Sequence, residues 1–353
     1  MRARRSRAFE VFVVTITMCA AHGGLAGCHA PLSNDDILFL MSLPRDLEVD
    51  IPTNAASTRA LTRANLYAHR MTTHALLDTK QSLDEEMRPL ATYYLDAKQG
   101  AERINQDILS PLEVIDRISE VEPTFREDDQ RTWGPIPAAS GSMLLSVERV
   151  RTATVFEGTS TSTAVSVDEF FRYSIIAAPR GAETWTPILW GVFAPVEAPD
   201  QGLGVLYVDF SAIRLVDPDS ADEGVYITAY DTRPQQRTLE VLWSLRTLAD
   251  PDVAYRYHRD DIGGRGEFVF VNEVDVDQRG KRETVTTVAR WLALGPGRAD
   301  VIISDGDLGP FVGWARECWD AAFLRTYFES NLPDTDETFG HITDCPTPFV
   351  DGP

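Results

Sequence analysis

Few residues in this chain of 353 have the types and spacing that chemistry needs. Of the four cysteines, Cys318 and Cys345 stand far from any Cys-x-x-Cys or His-x-x-x-His spacing, which argues against zinc. In an oxidising compartment such a pair reads as a disulfide, with two unpaired buried thiols as the alternative. Closing a loop of this length stabilises by about 3–4 kcal/mol on the chain-entropy model. After position 28 the histidines are His29, His69, His74, His258 and His341. His69 and His74 are five apart and miss the i, i+4 spacing of a helical zinc site. His258, ahead of Arg259-Asp260-Asp261, has the type of an acid–base group, although a strand-end histidine beside a polar turn is the plainer reading.

The acidic clusters invite a calcium reading. Asp275-x-Asp277-x-x-Gly280 imitates the start of a calcium loop, but Arg279 and Thr286 stand where ligands are required. Asp217-x-Asp219 with Asp222-Glu223-Gly224, and Asp305-Gly306-Asp307, are similar pairs. With 54 acidic residues in the chain, such pairs fall in turns by chance, and Asp favours turns by bonding its own backbone. No Gly-x-Ser-x-Gly occurs, and Ser140-Gly141-Ser142 reads as a turn before a strand. Gly263-Gly264-Arg265-Gly266 reads as a hairpin turn, and no phosphate-cradling loop or dinucleotide fingerprint is present. The sequence therefore names no catalytic residue, no metal ligand and no cofactor.

The elements that would position these residues fall into two patterns. Ile37 to Met41 is a short apolar turn, and Leu47, Val49 and Ile51 alternate as in a half-buried strand. Leu61, Leu66, Met71 and Leu76 suggest a first helix. Ser82 and Glu85 form a capping box, after which Leu83, Met87, Leu90, Tyr94, Ala97, Ala101, Ile104 and Ile108 recur at steps of four and three. Pro111 is expected to end or kink that helix, with Leu112, Ile115, Ile118 and Val121 continuing the stripe. An antiparallel helical hairpin is expected here, since so few heptads rarely hold a coiled coil.

All seven tryptophans lie at or after Trp133. Alternating runs are expected to be strands over 142–150, 167–177, 184–193, 203–210, 224–230, 237–246, 253–258, 266–274, 283–293, 298–304 and 311–316. With no helices between them they form an antiparallel sheet, expected to curl into a half-barrel, barrel or sandwich. Trp185, Trp190, Trp243, Trp291 and Trp314 would line an apolar cavity or fill a core. A last helix is expected from Trp319-Asp320, with Phe323, Leu324, Tyr327 and Phe328 on its apolar face. The expected fold class is α+β, with a helical hairpin on a large curved antiparallel sheet and a short C-terminal helix.

The N-terminus has the order of an export signal: Arg2, Arg4, Arg5 and Arg7, an apolar run from Val11 to Ala21, then small residues. It is too short to span a bilayer as a mature helix. Its ending, Leu25-Ala26-Gly27-Cys28, resembles the lipobox of bacterial lipoproteins. That resemblance implies cleavage between Gly27 and Cys28, and diacylglycerol and palmitate chains on Cys28. The expected organisation is a signal over 1–27, lipidated Cys28 with a tether to 36, a mainly helical segment over 37–130, and a β region over 131–353 with a disulfide-stapled tail. Removing residues 1–27 takes the formal charge from −21 to −24, because four Arg and Glu10 leave. So acidic a chain repels nucleic acid and anionic lipid alike, leaving acyl chains as the attachment. His29, not Asp, follows the lipid site, which under one familiar sorting rule directs the protein to the outer membrane.

Phe39-Leu40-x-x-Leu43-Pro44, Trp133-Gly134-Pro135, Gly306-Asp307-Leu308-Gly309 and Glu317-Cys318-Trp319 together resemble a group of uncharacterised bacterial envelope lipoproteins. The plan is also similar to lipoprotein carriers and lipocalin-like proteins, which hold an acyl chain between helices and a curved sheet. The expectation is a monomeric, lipid-anchored, non-catalytic binding or carrier module for an apolar ligand. The alternatives are a structural or interaction protein of the envelope, or an envelope hydrolase using carboxylates of the acidic turns.

Overall fold

A computed structural model describes residues 32–45, 47–53, 88–138, 140–156, 164–219, 223–234, 236–244, 253–260, 264–275, 280–306, 308–332 and 338–346. The signal, Cys28, His29, the first expected helix and the Ser82–Glu85 capping box lie outside the described residues. The protein is mostly antiparallel β. Fourteen strands follow one hydrogen-bonded order, β1 (Phe125–Glu127), β2 (Gln130–Ala138), β3 (Gly141–Val150), β6 (Phe170–Pro179), β7 (Thr186–Ala198), β8 (Gln201–Asp209), β9 (Val225–Asp231), β10 (Arg237–Ser244), β11 (Val253–Asp260), β12 (Arg265–Val274), β13 (Glu283–Trp291), β14 (Gly297–Asp305), β15 (Gly313–Trp319) and β16 (Arg325–Ser330). A separate hairpin pairs β4 (Thr154–Phe156) with β5 (Val165–Val167). The main order begins at β1 and ends at β16, so it is not that of a closed barrel.

The chain divides into two compact units, one of Met1–Leu47, Asp107–Arg233 and Trp243–Asp250, the other of Glu48–Gln106, Pro234–Leu242 and Pro251–Pro353. In the first unit, Ile37 to Met41 is not a turn but part of helix α1 (Asn34–Met41). Ser33 caps it, with the Asp36 side chain bonding back to the Ser33 N–H at 3.0 Å. Asp36, 1% exposed, also accepts from Arg131 Nε at 2.6 Å. Arg131 and Arg149 lie over the Phe39 ring, which meets Phe171 edge to face at 5.5 Å. One sheet face here carries Leu145, Val147, Phe171, Tyr173, Leu206 and Val208, all buried. Tyr173 lies directly across from Gly191, and Tyr230 across from Gly204. A side chain on either glycine would enter the opposing ring, so the two tyrosines pack only because nothing stands opposite them. Their hydroxyls meet at 3.3 Å.

The second unit repeats the device. Gly266, Trp291, Gly297 and Trp319 stand in one row across β12 to β15, each tryptophan over a glycine. Helix α2 (Thr92–Ser119) supplies its first half to this unit and lies on the face bearing Phe268 and Glu317. Tyr94 stacks on Phe323 at 4.3 Å and meets Trp319 at 5.6 Å, and Tyr93 stacks on Phe328 at 6.3 Å. The expected apolar stripe is the buried one: Tyr94, Ala97, Ala101, Ile104, Leu112, Ile115 and Ile118. The helix begins at Thr92 rather than near Ser82, and its backbone continues through position 111, where an end or kink was expected.

Three further expectations are corrected. Leu47, Val49 and Ile51 are buried, but in no strand; Val49 bonds the Asn105 side chain through both its N–H and its carbonyl (2.7 and 3.0 Å). β2 lies ahead of the expected runs, and Trp133-Gly134-Pro135 falls inside it, at a bulge between Trp133 and Ile136. The C-terminal helix is absent. Asp320 accepts the N–H groups of Ala322 and Leu324, Phe323 takes φ 62°, and the chain reverses into β16. Phe323, Leu324, Tyr327 and Phe328 suit either period, and pairing with β15 decides. A 3-10 turn, Ile342–Asp344, is the one helical element described after β16.

Beyond β16 the chain returns. Phe328 and Phe339 exchange backbone hydrogen bonds of 2.8 and 2.9 Å, and Cys345 joins Cys318 in a buried disulfide. The Pro89 carbonyl and Ala91 N–H take the backbone groups of Arg325 and Phe323. The sheet's last edge is therefore covered at both ends, which removes a template for strand addition.

Candidate functional site

The residues singled out from sequence do not converge. Asp275 accepts the Gly280 N–H at 3.1 Å, and Asp305 closes a turn at φ 67°. Their partners Asp277 and Asp307, and Asp222, His69 and His74, lie outside the described residues. Among the described residues, no group of three or more His, Cys, Asp or Glu is placed to hold a metal. Ser140 gives its hydroxyl to the Val216 carbonyl. His258 stands across from Glu267 in a strand pair, and His341 caps the final turn. The five tryptophans do not line one space. Trp291 is buried, Trp190 stacks on Tyr207 at a partly exposed position, and Trp185, Trp243 and Trp314 are half-buried.

The unusual chemistry lies in the second unit, beneath the start of α2. Glu317 of β15 is 0% exposed. It accepts the backbone N–H groups of Thr92 and Tyr93 at 2.9 and 2.6 Å, and Arg325 Nε at 2.6 Å. Arg325 also donates to the Thr92 hydroxyl at 2.9 Å. A carboxylate at the positive end of a helix, paired with a guanidinium, is fully satisfied. This arrangement docks α2 on the sheet.

One turn along α2 is Asp96. It makes no hydrogen bond or ion pair among the described residues. Its side chain is exposed at the surface of the helix. Burial, and then the negative charge of Glu317, push its pKa up to about 7. Its neighbour Tyr93 is 7% exposed, and its hydroxyl likewise makes no hydrogen bond among the described residues. Burial, then Glu317 and Asp96, raise that phenol well above its ordinary value, while Arg325 opposes them. A phenol and a carboxyl thus stand about one turn apart on α2, near the paired Glu317 and Arg325. Such displaced titrations gather at functional sites.

The sequence reading missed both Asp96 and Glu317. Asp96 follows Tyr93-Tyr94 on an otherwise regular amphipathic helix, and only its position off the buried stripe marked it. Glu317 was visible as an acid between Arg316 and Cys318 on a strand face that proves buried.

No protein-family model matches this chain, and no curated protein or solved structure matches it. No described helix is long and apolar enough to cross a membrane.

Proposed function

We propose that this is a lipid-anchored protein of the cell envelope, held at the outer membrane through Cys28, whose second unit carries an apolar ligand between α2 and the sheet. The export signal and the Leu25-Ala26-Gly27-Cys28 ending support the anchor. One observation carries the ligand reading: in the second unit α2 lays its apolar side over the face of a broad antiparallel sheet, the plan in which a helix and a sheet hold an apolar chain between them. Apolar residues of the same sheet face, Phe270, Val301, Ile303 and Ala315, supply the surface a chain would need. Curvature of this sheet toward a half-barrel around α2 belongs to the same proposal. Native mass spectrometry of the full protein extracted from membranes tests it. Bound lipid is expected, together with an N-terminal mass shift that Cys28→Ala abolishes. An empty protein with no affinity for acyl probes refutes the ligand, and an unmodified Cys28 refutes the anchor.

A second reading, an interaction protein of the envelope, is favoured by a different place. On one face of β7 and β8, Trp190 (38% exposed) stacks on Tyr207 at 3.8 Å, with Val205 (36%) two residues along β8. Cross-linking in intact envelopes that captures a partner through this face would favour it over the carrier.

A further inference from the structure

We propose that the first unit binds a neutral, extended, β-linked polysaccharide on the open face of its sheet, along a strip running from Tyr207 and Trp190 across Ser174 and Ser146 to Thr132. This names the partner of the interaction reading, on which it rests, and is independent of the carrier reading.

Strand register builds the strip. Tyr207, Trp190, Ser174, Ser146 and Thr132 stand directly across from one another on β8, β7, β6, β3 and β2. They alternate along those strands with Leu206, Leu189, Tyr173, Leu145 and Trp133, which are buried on the other face. The Trp190 and Tyr207 rings stack at 3.8 Å with 29° between their planes. They therefore stand upright on the sheet, and Trp190 turns its second face toward Ser174. Beyond that ring, three successive strands carry only small hydroxyl residues, a floor about 14 Å long at ordinary strand spacing. The same sheet face shows what apolar cover looks like. Two rows away the β4–β5 hairpin packs over Phe170 and Ala194, which are 7% and 0% exposed. Its packing takes in Val192, while Trp190 in the next row stays 38% exposed.

What the strip offers selects its occupant. The Ser174 and Thr132 hydroxyls make no hydrogen bond among the described residues. Ser146 accepts the Gln130 amide at 3.0 Å and keeps its own O–H to give. A pyranose has the two matching sides, a face of C–H groups that packs on an aromatic ring and a rim of hydroxyls that donate and accept. An acyl chain or an apolar helix would take water from these hydroxyls and return no hydrogen bond. A peptide adding through its backbone needs a sheet edge, whereas β6 and β7 are paired on both sides. In the adjacent row Arg172 and Glu148 meet at 4.0 Å, so the strip asks for no charge.

Calorimetric titration of cellohexaose, chitohexaose and hexagalacturonate into the full-length protein in detergent tests the proposal. At least one neutral hexasaccharide is expected to bind, about tenfold or more tighter than the anionic one. Trp190→Ala should weaken it at least about tenfold, and Trp190→Phe should retain most of the affinity, a contrast that a misfolded face cannot give. Ser174→Leu, which fills the floor beside the ring, should abolish binding. Trp314→Ala, in the second unit, should leave it unchanged. Failure of both neutral sugars to bind, tighter binding of the anionic one, or an equal loss in Trp314→Ala overturns the inference. A protein cross-linked through Trp190 with no sugar bound also overturns it, while the interaction reading stands.

Discussion

Asp36 offers the sharpest test of how the first unit is held. Burial raises the pKa of this carboxyl, but Arg131, the Ser33 backbone and hydroxyl, and the charge of Arg126 outweigh it and hold the value at about 2 instead of 3.8. The native state therefore binds fewer protons than the unfolded chain between those values. Asp36 contributes stability that is present above about pH 4 and lost as pH falls through about 2. A difference of about 1.8 pH units corresponds to about 2.4 kcal/mol. Asp36→Asn removes that contribution and leaves Arg131, whose side chain is 7% exposed, with the exposed Asp35 at 3.2 Å as its charged partner, besides the Glu127 and Gln130 carbonyls. Breaking a buried pair costs about 3–5 kcal/mol, and the amide still accepts the Ser33 N–H, which sets the loss at about 3 kcal/mol at pH 7. Urea unfolding at pH 7, 5, 3 and 2.5, with amide exchange of α1 as a local probe, measures both effects. The variant should be destabilised at pH 7, and the gap should close as the pH approaches 2.5. A constant gap across that range, or one below about 0.5 kcal/mol at pH 7, would refute the reasoning.

Two more outcomes follow from the packing. Reducing the Cys318–Cys345 bond should free the chain around 338–346 while β11 to β15 persist, because the Phe328–Phe339 pairing and the packing of Ile342 near Tyr327 then hold the return segment without a covalent link. Limited proteolysis should cut there much faster with reductant than without, and equal resistance would contradict it. Gly204→Ala should cost about 2–4 kcal/mol, since its methyl would enter the Tyr230 ring in a packed core; a thermal melt shifted by less than 1 °C would show that the ring moves aside freely.

Much of the β architecture was legible because its signals are local. The runs at 142–150, 203–210, 224–230, 253–258 and 266–274 match β3, β8, β9, β11 and β12 to within about three residues, since side chains alternate wherever one face is buried. Where the local signal is ambiguous, the reading failed. Trp133-Gly134-Pro135 has turn residues but sits in a strand with a bulge. The aromatics from Phe323 to Phe328 fit a helix until a neighbouring strand claims them. Asp36 read as the end of a tether and Phe39 as part of an apolar turn, because Asp36 and its arginines lie ninety or more positions apart in sequence.

By itself, the sequence determined the chain's acidity and most of the antiparallel strands, and it pointed to the pairing of Cys318 with Cys345. These depend on composition, period and compartment, which are properties of short segments or of the whole chain. Only the tertiary structure decided which glycines stand opposite Tyr173, Tyr230, Trp291 and Trp319, and that the sheet's last edge is covered. It alone brought Glu317 to the N-terminus of α2 across 224 positions, where its charge acts on Tyr93 and Asp96. A carboxyl's chemistry depends on the water, charges and donors around it, and those neighbours exist only once the chain has folded.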